Sequence, residues 1–577
     1  MEQKTYSFTC TTVHKKVFVA AIVMYLLAAT VFCVFYLLSN YQSLSEWYIN
    51  LGPCFYKQQQ WGTYFFTQTV KNKGNIFAGA GTLMSLAGGA YLVINRKKYT
   101  TNNSTFTFTF SRSTVYWYLA IVATSIALGI MEWLAMAPAY DEVFSAVNCA
   151  GMPVFRTLSY YMLPNNHIGY NVFNNILFSW YGDFVASGRL MSLLSYVGVM
   201  VTVFYFLSKV IKNHLFAFIA LIPVALQFQT WGFAAQARSY EPILFCGWIA
   251  MVSVLWHTKN NKSRYLAINT AANAVGFILL HSYIYLYLAQ LVYQLIYFLY
   301  IRKWDTGYIK HQLALAVVVY TWYMPALCFS GLEAFTNNKW VLSSVDNVWD
   351  FIPQFSSSFV RFISDCFGAY SGFGVTISYI VFVSPLMLLF TKNRMNRLIA
   401  VLYLSVWGSY ILYSMVLLLT PFHRTLIIHF SFTVACCVYT FYVLLNYIAD
   451  NISSGQLKAA VKMPLFIVPV LLYSGYQFSW NRSNAYIAVY GYDVNATYNT
   501  QSAGLKQIPA GSSIAFSDEA FYYYYIAEKM HYTTNRCNAE DAAYYIKSEA
   551  EALPEIQSCT YHFVAGCGDD YAIYKRD

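Results

Sequence analysis

The chain has 577 residues, of which 58% are hydrophobic and only 11% are charged, and its mean hydropathy is +0.43. This composition excludes a soluble protein of the same length, because there is too little polar surface to cover its domains, and it indicates that lipid solvates the chain. A net charge of +11 would indicate a polyanionic partner in a soluble protein. Here most of the basic excess lies in short loops, so no nucleic-acid partner is expected.

Mostly apolar runs recur from end to end, each bounded by basic or turn residues, as a bilayer core about 30 Å thick requires. The first run, Val17 to Leu38, is long enough to span and lacks a convincing cleavage site, so we expect an anchor rather than a signal peptide. The division of residues 265–301 is the least certain. The pattern predicts a polytopic α-helical membrane protein with about 13 transmembrane helices, near residues 17–38, 75–95, 115–136, 190–211, 215–231, 240–257, 265–282, 284–301, 312–330, 372–391, 397–420, 425–448 and 463–479.

The distribution of Lys and Arg predicts the orientation of these helices. The N-terminus and alternate loops carry roughly twenty basic residues against about three acidic ones, which is typical of the cytoplasmic side. They hold Arg96, Lys97, Lys98, Lys209, Lys259, Arg302, Lys303, Arg394 and Lys458. The opposite loops carry most of the acids, and an odd number of spans places the C-terminus outside.

Two outer segments, 137–189 and 331–371, are long and contain apolar stretches that are too short or too amphipathic to cross. Val172 to Trp180 and Val348 to Ile363 are therefore predicted to form helices in the membrane interface. After Trp480 the sequence becomes polar and alternates β-like and helix-like stretches, which predicts a small water-soluble α/β lobe. The predicted domains are an N-terminal two-helix extension at 1–114, a transmembrane catalytic domain at 115–479 and an extracytoplasmic lobe at 480–577.

The twelve cysteines show no metal-ligand spacing. Cys436 and Cys437 are adjacent within an apolar run. Cys537, Cys559 and Cys567 are close together in the tail, where one disulfide could form if the tail is in an oxidising compartment.

The most informative residues are ionisable groups at the outer ends of different helices. Asp141 and Glu142 follow the third span directly, and a carboxylate in that position can deprotonate an attacking hydroxyl. Two solvated acids at an ordinary helix end would have the same sequence. Arg238, in a short outer loop, and Arg424, at the outer end of a later span, could each donate two parallel hydrogen bonds to a phosphate.

Three further residues are predicted to lie at the same depth: His167, Arg189 and His281. Taken singly, a loop histidine is more often hydrogen-bonded than reactive, and an arginine at the start of a span can extend to the headgroups. Several ionisable groups at one membrane level are together costly and usually functional.

These segments resemble, in order and spacing over residues 115–450, the lipid-linked-sugar glycosyltransferases of the GT-C fold, in particular bacterial relatives of protein mannosyltransferases and of the aminoarabinose transferase acting on lipid A. Two positions depart from the family pattern, Ile168 in place of proline and Thr425 in place of an aromatic residue. The segments that carry the resemblance are Tyr140-Asp141-Glu142, Asn165-Asn166-His167, Gly182-Asp183, Gly188-Arg189-Leu190, Gln236-Ala237-Arg238-Ser239-Tyr240, His281-Ser282-Tyr283 and Arg424.

The resemblance implies an inverting transfer of a sugar from a polyprenyl-phosphate carrier to a lipid, protein or glycan acceptor. It implies Asp141 as the general base with Glu142 in support, and Arg238, with Arg424, as the groups that hold the phosphate. It places the protein in a bacterial inner membrane, names no certain cofactor and leaves a divalent metal ion open. The remaining residues assigned to substrate or phosphate binding are His167, Arg189, Gln236, Tyr240 and His281.

Two other functions fit the same sequence. A transporter or flippase of lipid-linked glycans would normally place its substrate site near the bilayer midplane and show internal repeats, whereas the polar groups here cluster at one face. A non-catalytic scaffold that binds glycolipids would use the same arginines.

Overall fold

The computed structural model describes residues 5–11, 15–95, 105–161, 163–336, 342–344, 347–369, 372–450, 455–490, 492–536, 539–553, 560–567 and 570–577. The helices are α1 Lys15–Leu38, α2 Tyr41–Ile49, α3 Gln68–Ile94, α4 Arg112–Ala135, α5 Tyr140–Ser145, α6 Val154–Ser159, α7 Ile168–Tyr181, α8 Phe184–Ile211, α9 His214–Ala225, α10 Phe228–Ala234, α11 Tyr240–Asn260, α12 Ser263–Leu279, α13 Ile284–Ile301, α14 Thr306–Ser330, α15 Glu333–Thr336, α16 Val348–Phe367, α17 Gly372–Val383, α18 Arg394–Leu417, α19 Ile427–Asp450, α20 Gly455–Tyr490, α21 Val494–Leu505 and α22 Phe521–Lys529. The strands are β1 Thr5–Thr11, β2 Thr105–Ser111, β3 Leu342–Ser344, β4 Leu419–Pro421, β5 Ser513–Phe516, β6 Thr533–Asn535, β7 Tyr544–Ser548, β8 Tyr561–Gly566 and β9 Tyr571–Arg576.

The helical membrane architecture predicted from the sequence is confirmed. Within the described ranges, nine helices are long and apolar enough to cross a bilayer, and α9 with α10 makes a tenth if this pair, bent by 77°, is one span. The bend lies where Gln227 caps α10 by accepting a hydrogen bond from the Thr230 backbone N–H at 3.0 Å. The other three predicted spans coincide with α12, with the shorter apolar segment Gly374–Phe390 and with α20. These three do not pass the same test, so the count of thirteen is not confirmed.

Both outer segments contain the helices that the sequence predicts. Helix α7 covers the stretch from Val172 to Trp180, and α16 covers the stretch from Val348 to Ile363. One face of α16 is buried and the other is exposed, as expected of an amphipathic helix. Its buried side chains include Phe351, Phe355 and Phe362, whereas Trp349 is exposed.

Buried amides hold helices α11, α12 and α13 together. Asn269 donates to the Gln290 side chain at 2.7 Å and to the Ala250 carbonyl at 2.9 Å, and Tyr283 donates to Asn273 at 2.9 Å. Such interhelical hydrogen bonds favour helix association where lipid provides no hydrophobic driving force. They fix the depth of the segment that contains His281.

The N-terminal extension packs on helix α14 and on the outer loop. Tyr36 of α1 donates to the Cys328 carbonyl at 2.7 Å, and a Cβ at Gly74 of α3 would lie 2.2 Å from the same tyrosine hydroxyl. Arg156 is buried and donates to the Tyr48 carbonyl at 3.1 Å and to the Pro53 carbonyl. The extension is therefore built into the outer face of the protein.

One small sheet was not predicted from the sequence. Strands β1 and β2 pair antiparallel, with Thr5 opposite Ser111 and Thr11 opposite Thr105. Their alternation of threonine with aromatic residues is typical of strands.

The tail forms the predicted α/β lobe. Its five strands have the order β6-β5-β7-β9-β8, in which β5 is parallel to β6 and β7, and the remaining pairs are antiparallel. The core of the lobe is continuous with the outer loop, because Phe521 and Ile546 belong to the same buried cluster as Val143 and Phe144. Of the three tail cysteines, Cys567 is a buried free thiol, and Cys537 and Cys559 lie outside the described residues.

Candidate active site

The site begins where helix α4 ends and the chain turns before α5. Residues 136–139 connect the two helices, and Asp141 and Glu142 lie in the first turn of α5. Carboxylates are favoured there because the first backbone N–H groups of a helix are unpaired and carry partial positive charge. Glu142 uses this position directly, since its Oε2 accepts the Ala139 N–H at 2.8 Å.

The Asp141 carboxylate contacts three side chains from distant parts of the chain. Arg424 Nη1 donates to Asp141 Oδ2 at 2.8 Å, and Asn165 Nδ2 donates to Asp141 Oδ1 at 3.1 Å. Arg238 Nη2 lies 3.8 Å from Asp141 Oδ2. The side chain of Asp141 is 20% exposed and that of Arg424 is 28% exposed, so this carboxylate and this guanidinium both remain accessible.

Arg238 is a fixed, buried cation. Only 2% of its side chain is exposed. Its guanidinium donates to the Asp141 carbonyl at 3.1 Å and to Ser145 Oγ at 2.8 Å. It also lies 3.2 Å from Asn165 Oδ1 and 3.1 Å from His167 Nε2. These contacts orient Arg238 before any ligand binds, which reduces the entropy lost on binding.

His167 positions Arg238. A guanidinium only donates, so His167 Nε2 must accept from it, and the ring proton of a neutral imidazole then lies on Nδ1. Nδ1 is 2.7 Å from Ser239 Oγ and 3.3 Å from the Ser239 backbone nitrogen. In this tautomer Nδ1 donates to the hydroxyl oxygen, the shorter contact, and does not accept from the backbone N–H. Burial, together with the charge of Arg238, lowers the pKa of His167 well below its usual value, and this favours the neutral ring.

Two opposing effects determine the pKa of Asp141. Burial alone would raise this pKa, but Arg238, Arg424 and the hydrogen bond from Asn165 together outweigh it and lower the pKa of Asp141 below its usual value. The carboxylate is therefore ionised at neutral pH, as a general base must be. While both arginines lie beside it, however, the Asp141 carboxylate is a weaker base than a free aspartate.

Glu142 is adjacent in sequence but faces a different environment. It is fully buried, and it binds Arg189 through two hydrogen bonds, Nε to Oε1 at 3.0 Å and Nη2 to Oε2 at 2.9 Å. The Ala237 N–H donates to Oε1 at 2.5 Å. The remaining Arg189 donors bind backbone carbonyls, including those of Met136 and Ala137 at 2.8 and 2.9 Å. The pair thus links the turn of α5 to the loop that carries Arg238.

The residue before Arg424 belongs to a histidine–carboxylate pair. His423 Nδ1 hydrogen-bonds Asp365 Oδ2, and Asp365 lies near the end of α16. Strand β4, which ends at Pro421, pairs with β3 from the preceding outer loop. These contacts order the segment before Arg424 and leave its guanidinium directed at Asp141.

The remaining predicted residues surround this cluster. Tyr240 lies 5.3 Å from the His167 ring and 5.7 Å from the guanidinium carbon of Arg238. Gln236 is buried, and its Nε2 has no hydrogen-bond partner within the described residues. His281 lies farther out, hydrogen-bonded through Nδ1 to the Tyr161 hydroxyl at 3.1 Å.

Tail residues that were not predicted to belong to the site also contact it. The Tyr492 hydroxyl accepts the Tyr140 N–H at 3.0 Å. Asn495 accepts the Ala137 N–H at 2.8 Å and donates to the Ala135 carbonyl at 3.0 Å. The lobe therefore contacts the backbone that leads to Asp141.

A cavity of about 570 Å³ lies beside the site, between the lobe and the outer loop. Ala146 and Val147 in its wall directly follow Ser145, which contacts Arg238. The opposite wall contains the Lys529–Asp183 ion pair. Within the ranges that the structure covers, no group of three or more His, Cys, Asp and Glu side chains is arranged to hold a metal ion.

No protein-family model matches the chain, and no curated protein matches its sequence. Among solved structures, ArnT from Cupriavidus metallidurans is similar in its undecaprenyl phosphate complex (TM-score 0.49, 10% identity, covering 79% of this chain and 97% of ArnT) and in the apo state (TM-score 0.49, 9% identity, 80% and 98%). Arabinosyltransferase EmbB from Mycobacterium smegmatis gives a TM-score of 0.39 at 12% identity and covers 85% of this chain. The match includes 49% of EmbB, about half of that protein.

One of these ArnT structures is bound to undecaprenyl phosphate, and EmbB is an arabinosyltransferase. TM-scores below 0.5 at this identity do not by themselves assign an activity to this chain.

Proposed function

We propose that this chain is an inverting membrane glycosyltransferase that moves a sugar from a polyprenyl-phosphate carrier to an acceptor hydroxyl on the extracytoplasmic face. The observation that supports this most directly is the position of one accessible carboxylate, Asp141, between two arginines that lie 97 and 283 residues away: Arg424 donates to it at 2.8 Å, and Arg238 lies 3.8 Å from it. A general base beside fixed positive charge is what displacement of a phosphate leaving group needs.

The proposed reaction is a single displacement. Asp141 accepts the proton of the acceptor hydroxyl while the hydroxyl oxygen attacks the anomeric carbon. The bond between that carbon and the phosphate oxygen breaks, and its electron pair leaves with the polyprenyl phosphate. Attack from the face opposite the leaving group inverts the configuration, and Arg238 and Arg424 stabilise the additional negative charge on the departing phosphate.

The two arginines differ in how they can serve the donor. Arg238 is buried and bound by several partners, so it supplies charge from a fixed position. Arg424 is the more exposed cation, and we propose that its guanidinium moves from Asp141 to the donor phosphate. Because an arginine neighbour weakens a carboxylate as a base, binding of the phosphate would raise the basicity of Asp141 when the donor is in place.

The other predicted site residues receive supporting roles. We propose that Glu142 and Arg189 hold the first turn of α5 against the loop of Arg238, and that His167 orients the Arg238 guanidinium. Gln236, Tyr240 and His281 would then line the space for the sugar and phosphate. No step of the proposed mechanism passes through a metal ion.

Contacts among the outer loops support thirteen crossings. Asp141, Arg238, His281, Arg424 and the tail belong to one outer cluster, and a bilayer core of about 30 Å separates it from the other side. Between any two of these outer positions, the chain must therefore cross the membrane an even number of times. The nine long apolar helices alone do not satisfy this condition. It is satisfied when four further segments also cross, namely the bent α9–α10 pair, α12, segment 374–390 and α20, which gives thirteen crossings.

On the same topology, we propose that the N-terminus is cytoplasmic, that the C-terminal lobe is extracytoplasmic and that the membrane is a bacterial inner membrane. Cys54, in the loop after α2, is disulfide-bonded. Disulfides persist in oxidising compartments such as the periplasm. This bond supports the assignment of that loop to the extracytoplasmic side.

The direct test of the proposed activity is donor consumption in reconstituted vesicles. Purified protein, a polyprenyl-phosphate sugar pool and an acceptor fraction, both extracted from the native cell envelope, should together release polyprenyl phosphate and a glycosylated acceptor. Mass spectrometry of a deletion strain should show an envelope glycan without one sugar. Flux of the intact lipid-linked sugar across sealed vesicles without a covalent product would instead support a transporter. Tight binding with neither flux nor product would support a scaffold.

Replacing Arg424 with glutamine is expected to move the acid limb of the pH–rate profile to higher pH. Removing this arginine removes one of the charges that lower the pKa of Asp141, so the base protonates at a higher pH than in the wild type. The same sign applies to stability, because an ion pair with a lowered carboxylate pKa stabilises the fold above the unfolded value and is lost as the pH falls through the folded value.

The measurement is kcat/KM for the donor across pH in the wild type and the Arg424→Gln variant, because kcat/KM reports the free enzyme, in which Arg424 contacts Asp141. Arg394→Gln is a suitable control, since Arg394 lies at the predicted cytoplasmic end of α18. An unchanged acid limb with reduced turnover would show that Asp141 is not the group that titrates.

A further inference from the structure

We propose that the C-terminal lobe is a positioning element of the catalytic site, and that Asn495 is the residue through which it sets the orientation of Asp141. This inference depends on the proposed function for its kinetic readout. It assigns the lobe a role in turnover that is separate from acceptor binding.

Asn495 holds the turn before Asp141 from two sides. Its side chain donates to the carbonyl of Ala135, the last residue of α4, and accepts the N–H of Ala137. The two bonds, at 3.0 and 2.8 Å, fix both the exit of the membrane helix and the start of the turn. Asn495 is followed by Ala496 and Thr497 in a glycosylation sequon, but its amide is engaged with this backbone.

Two tyrosines of the lobe continue the same contact along the turn. Tyr522 donates to the Pro138 carbonyl, and Tyr492 accepts the Tyr140 N–H at 3.0 Å. Together with Asn495, the lobe therefore binds backbone groups at four of the six positions from 135 to 140. The residue that follows this stretch is Asp141.

Aromatic packing reinforces the hydrogen bonds. The Phe521 ring lies 4.6 Å from the Tyr140 ring and 5.1 Å from the Phe144 ring, in edge-on arrangements. These residues flank Asp141 on either side along α5. Movement of the lobe would therefore move the helix turn that carries the base.

The lobe is itself fixed by the N-terminal extension. The Tyr56 hydroxyl donates to Glu519 at 2.7 Å, and the Lys57 N–H donates to Asp518 at 3.0 Å. These contacts lie beside the disulfide-bonded Cys54. They indicate a role for the two long N-terminal helices, α1 and α3. The segment between these helices anchors the lobe, and the lobe holds the turn before Asp141.

The consequence for catalysis is geometric. Asp141 must lie within hydrogen-bonding distance of the acceptor hydroxyl while Arg238 stays on the phosphate, and misplacement of such a group by about 1 Å can cost roughly 10²-fold in rate. Arg238 is held mainly by Ser145, Asn165 and His167. Loss of the Asn495 bonds would thus disturb the base more than the donor site.

The test compares Asn495→Ala and Asn495→Asp with the control Thr497→Ala. Thr497 lies on the same helix, and among the described residues its hydroxyl binds only the carbonyl of Asp493, four residues earlier. Asn495→Ala should lower kcat for donor turnover about 10- to 100-fold while the KM for the donor changes by less than about twofold. Asn495→Asp keeps the acceptor for the Ala137 N–H and should recover part of kcat, and Thr497→Ala should match the wild type.

A second readout does not need activity. Amide hydrogen exchange in the peptide covering 136–145 should accelerate in Asn495→Ala and in Tyr492→Phe, which keeps the ring but removes the acceptor of the Tyr140 N–H. An unchanged kcat, or an equal loss in Thr497→Ala, would overturn the proposal. If the wild-type protein consumes no polyprenyl-phosphate sugar, the proposed function fails, and hydrogen exchange still decides whether the lobe holds the turn.

Discussion

Replacing Asp141 with asparagine is expected to lower sugar transfer by about 10²- to 10⁴-fold, the range that general base catalysis contributes. Asparagine has nearly the same shape, but it has a single side-chain oxygen and can therefore accept from Arg424 or from Asn165 and not from both. It also cannot take the acceptor proton. Expression and folding should stay close to normal, because Asp141 is partly exposed and its neighbours keep other partners. The measurement is donor turnover by purified variants in vesicles.

Asp350→Asn is the matched control for this variant. Asp350 is also an acid of the outer loops, but it is exposed and hydrogen-bonds Asn347 at the start of α16. Its replacement should leave turnover within about twofold of wild type, as is usual for exposed surface substitutions. Full activity of Asp141→Asn would show that another group is the base.

Replacing Glu142 with glutamine is expected to destabilise the protein by about 3–5 kcal/mol, the usual cost of leaving one partner of a buried ion pair unpaired. The glutamine would leave the buried Arg189 without its countercharge, and the amide nitrogen would face the N–H groups of Ala139 or Ala237. The measurement is the unfolding midpoint in detergent, together with the yield of folded protein. Activity per folded molecule should fall much less than in Asp141→Asn.

The double variant Glu142→Gln/Arg189→Met tests this explanation. Removing the unpaired cation should recover part of the lost stability, because a buried ion pair can often be replaced by apolar groups with little net cost. Donor KM should change little, since we assign phosphate binding to Arg238 and Arg424. A large rise in donor KM in Arg189→Met would instead indicate that Arg189 binds the phosphate, as the sequence resemblance implies.

Asp141 and Glu142 are adjacent in sequence, but we assign the first to catalysis and the second to folding because their side chains lie in different environments. Asp141 keeps 20% exposure and faces two arginines. Glu142 is one residue later, on a different side of the same helical turn, and four donors surround it. Successive residues of a helix are rotated by about 100°, so one faces the open site and the other faces the protein interior.

The sequence by itself determined the class of protein, the helical segments and the level of the site. Long apolar runs are local features with a direct physical cause, the thickness of the bilayer, so they can be recognised without knowing how the helices pack. Each of the thirteen predicted segments coincides with a helical segment. Charges at the ends of such runs are equally local, which is why Asp141, Arg238 and Arg424 could be selected as one group before their contacts were known.

Only the tertiary structure decided the partners of these residues. Asn495 lies 358 residues from Ala137, and neither its helix nor its composition indicates that it holds the turn before Asp141. The ion pair between Arg189 and Glu142 likewise depends on how α4, α5 and α8 pack against one another. Hydrogen bonds between distant segments depend on how the helices pack, to within a few tenths of an ångström. The periodicity and charge of a sequence indicate only which face of an element is apolar and which end is exposed to solvent.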